Sequence, residues 1–552
     1  MNAQLLEHVR TSPAMANVTL IVPFDPCPAA NPSNLSQPPL RLAYLSAVTK
    51  AAGHKVTVID GVGEGYGHSW RFGDACLLHG LTIPELLERV PRDTDILGLS
   101  LMFSQTYPAV RELLRELRAR LPKTAVILGG EGVSGLSEFL LEETPVDAAV
   151  VGEGESAWVA ILDALCANRP VDGIPNVVTR GRTENETRSP RRSGMSAELD
   201  AMPFPDWDSI PLAAYWSRRM SHGATPADRY LPIIASRGCP YQCMFCTAAT
   251  TWRSQRYRSP ESVVAEMGEF RDRYGIEYFS FNDLSITTNV RWFETFLDQL
   301  LAADLRVQWA VPAGIRGTER ITPSIMKKAR ASGLIYLQVA PETGSVRVMD
   351  WLDKRFSLDA VLETIRSAKS ADLPVGAYIL VGSPVETLDD FLATLRFLYR
   401  MARLGVDEIA VSALTAHPGS PLFWQLRREG RLRFDDAYFR TLAQGDLAQQ
   451  VSYSPHFNGR EIRILRLHAF LWFFMCRFFY FPGTLWHLIG NAKNNHQDTK
   501  LDRVLRYQLG SVLRGFLPVL SFTSVRLAFA LLRRSWRGPA AAVEQPQSDR
   551  LS

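Results

Sequence analysis

The 552-residue chain has almost no excess of charge: 61 Lys and Arg stand against 57 Asp and Glu, a formal net charge of +4. That balance removes any whole-surface electrostatic case for nucleic acid as a partner. Cysteine is scarce, seven in all. Cys27, Cys76, Cys166 and Cys476 stand far apart, which excludes a disulfide framework. Long apolar runs are missing too. The densest, AFLWFFMC at 469–476, is well short of the roughly 20 residues a membrane-spanning helix needs. The opening MNAQLLEHVRTSPAMANVTLIVPFD has no basic stretch followed by an apolar core and a small-residue cleavage site, so no export signal is expected. These absences lead us to expect a globular protein of the reducing cytoplasm. At this length two or three domains are expected.

What is present is a double alternation. From residue 18 to about 167, strand-like runs (VTLIVPF, KVTVID, TDILGLSL, TAVILGG, VDAAVVG) alternate with helical stretches such as LRLAYLSAVTKAAG and PAVRELLRELRARL. Continuous apolar strands separated by helices predict a doubly wound, Rossmann-like α/β domain, assigned to 18–172 after a short extension at 1–17. Ligands of such sheets lie beyond the carboxyl ends of the strands. Those ends here read PFDP, IDGVGEG, GLSLMFSQ, LGGEGVS and VGEGES. Their glycines either let a bulky ligand reach the backbone or simply make tight turns. Residues 173–230, polar and rich in Pro and Arg, read as a hairpin and linker. Six further strand and helix units over 231–422 predict a partial (β/α)6 barrel. Residues 423–538 read as helical, aromatic and basic, and 539–552 as a disordered tail.

One loop carries the chemistry. SRGCPYQCMFC places Cys239, Cys243 and Cys246 in a C-x3-C-x2-C array directly after LPIIAS, the first barrel strand. That is the carboxyl-end face, where chemistry in this architecture collects. A structural zinc site wants four ligands, and no second cysteine pair stands nearby. Three thiolates on an iron–sulfur cube instead leave one iron open to an outside ligand.

SRGCPYQCMFC resembles the cluster loop of the radical S-adenosylmethionine enzymes, and the preceding α/β domain resembles the cobalamin-binding domain of their B12-dependent branch. The resemblance implies a 4Fe-4S cluster on Cys239, Cys243 and Cys246, whose open iron takes the methionine moiety of S-adenosylmethionine. It implies electron transfer that cleaves the sulfonium to a 5′-deoxyadenosyl radical. Asp283 in FNDLSIT matches a segment lying near the methionine amine; otherwise it is a helix cap. Glu342 and Gly344 in VAPETGS, with Lys354 in WLDKRFS, resemble the segment contacting cofactor ribose or carboxylate, unless the charges lie on the surface. Gly382 in YILVGSPVET matches the turn beside the adenine or is a plain turn. Arg258 reads as support for a helix capped by Ser259 with Pro260 at its first position.

Many cobalamin domains carry D-x-H-x-x-G, whose histidine ligates cobalt from below. PFDPCPAANPSN offers no histidine there, and His54 in AAGHKV reads as solvated or capping. The resemblance then implies attachment through shape and backbone, with Gly129, Gly130, Gly152 and Gly154 as contacts. The leading expectation is a cobalamin-dependent radical methyltransferase acting on an unactivated carbon, or a phosphinate phosphorus, of a small-molecule intermediate. A cyclase or ring-rearranging enzyme with the same cofactors is the alternative, and a non-catalytic iron–sulfur or zinc protein a third. An electron donor such as flavodoxin or ferredoxin is implied. RILRLHAFLWFFMCRFFYF, with Arg463, Arg466 and Arg477, and the basic aromatic stretch 510–538 read first as packing over the barrel and second as a peripheral membrane contact.

Overall fold

In a computed structural model of the chain, the structure describes residues 15–26, 36–73, 76–187, 194–195, 197–217, 225–252, 254–316, 321–442, 451–494 and Asp502. The expected tail, the 510–538 stretch and most of the PFDPCPAANPSN loop lie outside the described residues.

The first unit is a six-stranded sheet formed by β1 (Asn17–Val22), β2 (Lys55–Asp60), β3 (Ile96–Ser100), β4 (Ala125–Gly129), β5 (Ala148–Val150) and β6 (Val177–Val178). Their order across the sheet is β2-β1-β3-β4-β5-β6. All pairs are parallel except β5 with β6. Helices α1 (Leu40–Ala51), α2 (Tyr107–Arg120), α3 (Ser137–Glu143) and α4 (Glu155–Cys166) connect the strands. Leu20, Ile96, Ile127 and Ala148 face α1 and α4 in one core, while Ile21, Leu97 and Leu128 face α2 and α3 in another. Alternate residues of each strand thus bury on opposite faces, as a doubly wound sheet requires.

The expected linker is anchored. Trp207 and Tyr215 are buried, the Tyr215 hydroxyl donates to Asp60 at 2.7 Å, and Asp206 pairs with Lys50 at 2.6 Å.

The second unit is the six-stranded parallel sheet β7 (Tyr230–Ile233), β8 (Tyr278–Phe281), β9 (Gln308–Ile315), β10 (Leu334–Glu342), β11 (Val375–Val381) and β12 (Glu408–Ala413). Its strands are paired in chain order, the arrangement of a partial barrel. Helices α5 (Pro260–Tyr274), α6 (Val290–Ala302), α7 (Pro323–Ala331), α8 (Leu358–Lys369) and α9 (Leu388–Arg403) intervene. The Ser259 side chain caps α5 by accepting from the Ser262 amide, with Pro260 at the first helical position. Arg258 beside it pairs with Glu266 at 2.5 Å in a buried ion pair.

Helix α10 (Gly459–Tyr480) packs against α9 and β12. Its Arg466 donates to the Val411 carbonyl at 3.0 Å and Arg477 pairs with Asp407 at 3.1 Å, so two of the three arginines expected to flank the aromatic block are buried in packing. Leu471, Met475 and Phe479, four residues apart, remain exposed, as does Trp486 of α11 (Gly483–Asn494). Among the described residues no helix is long and apolar enough to cross a membrane.

Candidate active site

The exit of β7 is fixed by the exit of β8. Asp283, 1% exposed, accepts from the Ser236 amide at 2.5 Å, the Ser236 hydroxyl at 2.6 Å and the Ala235 amide at 3.1 Å. Burial pushes its carboxyl up to about 6, against the pull of those donors. Asp283 therefore holds the backbone that leads into the cysteine loop. Gly238 follows at φ +87, and a Cβ there would strike the Ser254 carbonyl oxygen. The Cys239 amide donates to Trp252 O at 2.7 Å and that of Cys246 to Cys243 O at 3.1 Å. The Met244 amide donates to Leu352 O at 3.1 Å, and Met244 O accepts from the Leu422 amide at 2.9 Å. The loop is thus tied both to the segment after β10 and to the helix after β12.

All three thiols are partly buried. Desolvation pushes Cys246 up to about 12 and raises Cys239, so their ionisation needs a cation to compensate it, as cluster iron does. Among the described residues no three His, Cys, Asp or Glu side chains are gathered to hold one metal ion. A cube takes each thiolate on a different iron and can leave its fourth iron open, so three thiols match it, whereas a structural zinc site takes four ligands.

Across the mouth, Lys354 Nζ donates to Glu342 Oε1 at 2.8 Å and to Ala340 O at 3.1 Å. Both side chains are buried, and Nζ lies 5.5 Å from the Phe245 ring of the cysteine loop. Glu342 ends β10 at φ +65, a strained region for a side-chain-bearing residue. Gly344 and Gly382 are demanded by packing. A Cβ at Gly344 would lie 2.5 Å from Phe397 Cβ, and one at Gly382, φ +88, 2.8 Å from Ile462 of α10. The Gly382 amide donates to Glu386 Oε2 at 2.6 Å, and burial pushes that carboxyl up to about 7.

Loops of the first unit meet this face directly. Glu131, after β4, accepts from the Thr247 hydroxyl at 2.8 Å and from Trp252 Nε1 at 2.9 Å. Glu155 takes both Arg237 terminal nitrogens, at 2.6 and 2.7 Å, and Glu153 pairs with Arg256. Gly135 packs on Gly419, where a Cβ would lie 2.4 Å from its Cα. His417, in the loop after β12, is held neutral by burial, which lowers its imidazole to about 4.

The four glycines differ. A Cβ on Gly129 meets nothing within 4 Å, and those on Gly152 and Gly154 only contacts at 3.9 Å or beyond, leaving their strand ends open for a ligand. Gly130, at φ +109, sits where a Cβ would lie 2.6 Å from Leu101 O, so the loop itself requires it. His54 is buried and its Nδ1 accepts from the Ala16 amide at 3.2 Å. It caps the start of β1, at the amino end of the sheet.

Glu131, Glu153, Glu155, Arg237 and His417 went unmarked in the sequence. The acidic residues sat visibly inside the glycine loops, but nothing local in the sequence reveals partners more than eighty residues away.

The fold and the thiol loop define a cluster-bearing barrel joined to a nucleotide-type α/β domain. The family model of the Radical SAM superfamily matches residues 233–398 and that of the B12 binding domain residues 29–162. Together they span more than half of the chain, which belongs to the B12-binding-domain branch of the Radical SAM superfamily. Cytidylyl-2-hydroxyethylphosphonate methyltransferase of Streptomyces wedmorensis is 26% identical over 74% of this chain and 81% of its own length. An anaerobic magnesium-protoporphyrin IX monomethyl ester cyclase of Cereibacter sphaeroides is 28% identical over 71% of this chain and 61% of its own. The radical S-adenosylmethionine methyltransferase TsrM from Kitasatospora setae, solved with cobalamin and a 4Fe-4S cluster, has the same fold: TM-score 0.61 at 15% identity, covering 84% of this chain and 89% of that one. The cofactors of this class are a 4Fe-4S cluster, S-adenosylmethionine and cobalamin.

Proposed function

We propose that the chain is a cobalamin-dependent radical S-adenosylmethionine methyltransferase acting on an unactivated carbon, or a phosphinate phosphorus, of a small-molecule intermediate. The observation that carries this reading is the direct bonding of the β4 exit loop to the cysteine loop, Glu131 to Thr247 and Trp252. A methyl carrier and a radical source must act on one substrate, and this contact sets the two strand-end faces side by side.

When bound, the cluster with S-adenosylmethionine supplies a carbon-centred radical and cobalamin a methyl group. Cys239, Cys243 and Cys246 hold the cluster, and Asp283 fixes the backbone that presents them. Glu342 and Lys354 face S-adenosylmethionine, with Gly344 and Gly382 shaping the turns beside it. Gly129, Gly152 and Gly154 leave room for the corrin ring, and Gly130 keeps the loop after β4 in shape. In this reading residues 18–172 carry cobalamin and 231–422 the radical chemistry. His54, which accepts from the Ala16 amide at the amino end of the sheet, is not among the residues that would hold the corrin. A one-electron donor of flavodoxin or ferredoxin type completes the scheme. A peripheral membrane contact would use Leu471, Met475, Phe479 and Trp486, and salt-sensitive co-sedimentation with anionic liposomes tests it.

The test of the reaction is product analysis after anaerobic reconstitution and reduction, with phosphinate and unactivated-carbon substrates. A methyltransferase releases S-adenosylhomocysteine in step with methylated product. Deoxyadenosine without S-adenosylhomocysteine gives the cyclase reading instead, and neither product ends both.

A further inference from the structure

Every buried or nearly buried cation described around the barrel mouth has a carboxylate except one. Lys354 pairs with Glu342, Arg237 with Glu155, Arg256 with Glu153 and Arg258 with Glu266. Arg316 has no such partner among the described residues. It follows the last residue of β9, on the carboxyl-end face, and is 7% exposed. Its Nε and Nη1 are buried and find no hydrogen-bond acceptor among the described residues. Its guanidinium carbon lies 3.5 Å from the ring centroid of Tyr241, between Cys239 and Cys243, and 5.2 Å from that of Phe356.

A buried guanidinium with empty donors is costly unless an anion completes the site. Aromatic faces offset part of that cost but give the N–H groups no acceptor. The Tyr241 ring belongs to the cysteine loop, which puts the unpaired guanidinium within electrostatic reach of Cys239. We infer that Arg316 is the fixed counter-charge of the cluster, placed to favour its one-electron reduction. The inference rests on the reading that Cys239, Cys243 and Cys246 hold a 4Fe-4S cluster. Three thiolates on the cube leave it net negative, and the electron it takes from the donor adds one more negative charge. A nearby fixed cation in a low-dielectric setting stabilises the reduced form more than the oxidised one. Lys354, already neutralised by Glu342, contributes less of this field than its closeness suggests.

The test is a redox titration of the full-length, anaerobically reconstituted protein without S-adenosylmethionine. Titanium(III) citrate serves as the one-electron reductant, and electron paramagnetic resonance follows the reduced cluster. Arg316→Gln is expected to lower the equilibrium constant for reduction about tenfold, about 59 mV for a one-electron couple. Arg316→Lys, which keeps the charge, should stay near the parent value. Loss of the cluster from Arg316→Gln alone, with Arg316→Lys at the parent potential, also supports a charge role. An unmoved potential in Arg316→Gln overturns the proposal. If S-adenosylmethionine binding by equilibrium dialysis falls in that same variant, the guanidinium belongs to the carboxylate of the cosubstrate instead. Loss of the cluster from both variants overturns it too, leaving Arg316 as a packing piece. Iron and sulfide content of the parent separates the failures: an iron-free parent sinks the cluster reading and the proposal with it, whereas an iron-replete parent with an unmoved Arg316→Gln sinks the counter-charge alone.

Discussion

The two six-stranded sheets meet at the carboxyl ends of their parallel strands, and those ends are made of different material. The barrel's face is built of side chains: three thiols, the Glu342–Lys354 pair and the Arg316 guanidinium. The face of the first unit is built of backbone, with Gly129, Gly152 and Gly154 open and Glu131, Glu153 and Glu155 spent on the barrel. A group held by covalent-strength ligands needs particular atoms at particular spacings. A large ring held by shape needs room, which only the absence of side chains provides. On the proposed assignment, the same architecture serves two cofactors by opposite means.

The sharpest break of this comparison is in the thiols. Replacing Cys239, Cys243 or Cys246 with Ala is expected to abolish the iron–sulfur absorbance, while Ala at Cys166 or Cys476 leaves it at the parent level. Full absorbance in any trio variant would place the cluster elsewhere.

The glycines should respond quite differently. Gly129→Leu adds a side chain into open space and is expected to cut cobalamin binding at least tenfold, read by equilibrium dialysis, with little change in thermal midpoint. Gly130→Ala should do the reverse in kind, lowering the midpoint through the clash with Leu101 O and the positive φ. Equal behaviour of the two would remove the distinction between cradle and turn.

The joint between the faces comes next. Arg237 and Glu155 are about nine-tenths buried as a bidentate pair, so Glu155→Ala, which strands the guanidinium, should cost about 3–5 kcal/mol of stability in denaturant titration. Replacing both partners with Met should cost less than that single change. If the double variant is the worse, the pair is not what burial makes of it.

A smaller, pH-dependent effect is expected at Asp60, at the end of β2. Burial pushes its carboxyl up to about 7, above its value in an unfolded chain, so its stabilising contribution is present at acid pH and lost as pH rises through 7. Asp60→Asn should therefore gain stability relative to the parent between pH 5 and pH 8. A constant difference across that range would contradict the assignment.

What could be read from sequence follows the same division. The thiol spacing after a strand marked the proposed cluster loop, because ligands to a cluster are sequence-local. The alternation of apolar strands and helices marked both sheets, since burial on two faces leaves continuous apolar runs. Asp283 was legible as a residue of the site but not in its task, because the donors it accepts from lie just past another strand, 47 and 48 residues back. Gly344 and Gly382 matched positions near a cofactor, yet packing by Phe397 and Ile462 also dictates them, and neither contact has a local signature. Arg316 carried no pattern at all. Its meaning comes from a carboxylate that is not beside it.

The central claim is that one chain brings a cluster and a corrinoid to adjoining faces, and metal analysis of the anaerobically reconstituted full-length protein tests it most directly. About four iron, about four sulfide and about one cobalt are expected per chain, with cobalt lost in Gly129→Leu and iron lost in Cys243→Ala. Iron without cobalt in the parent protein, or zinc in place of iron, would contradict it.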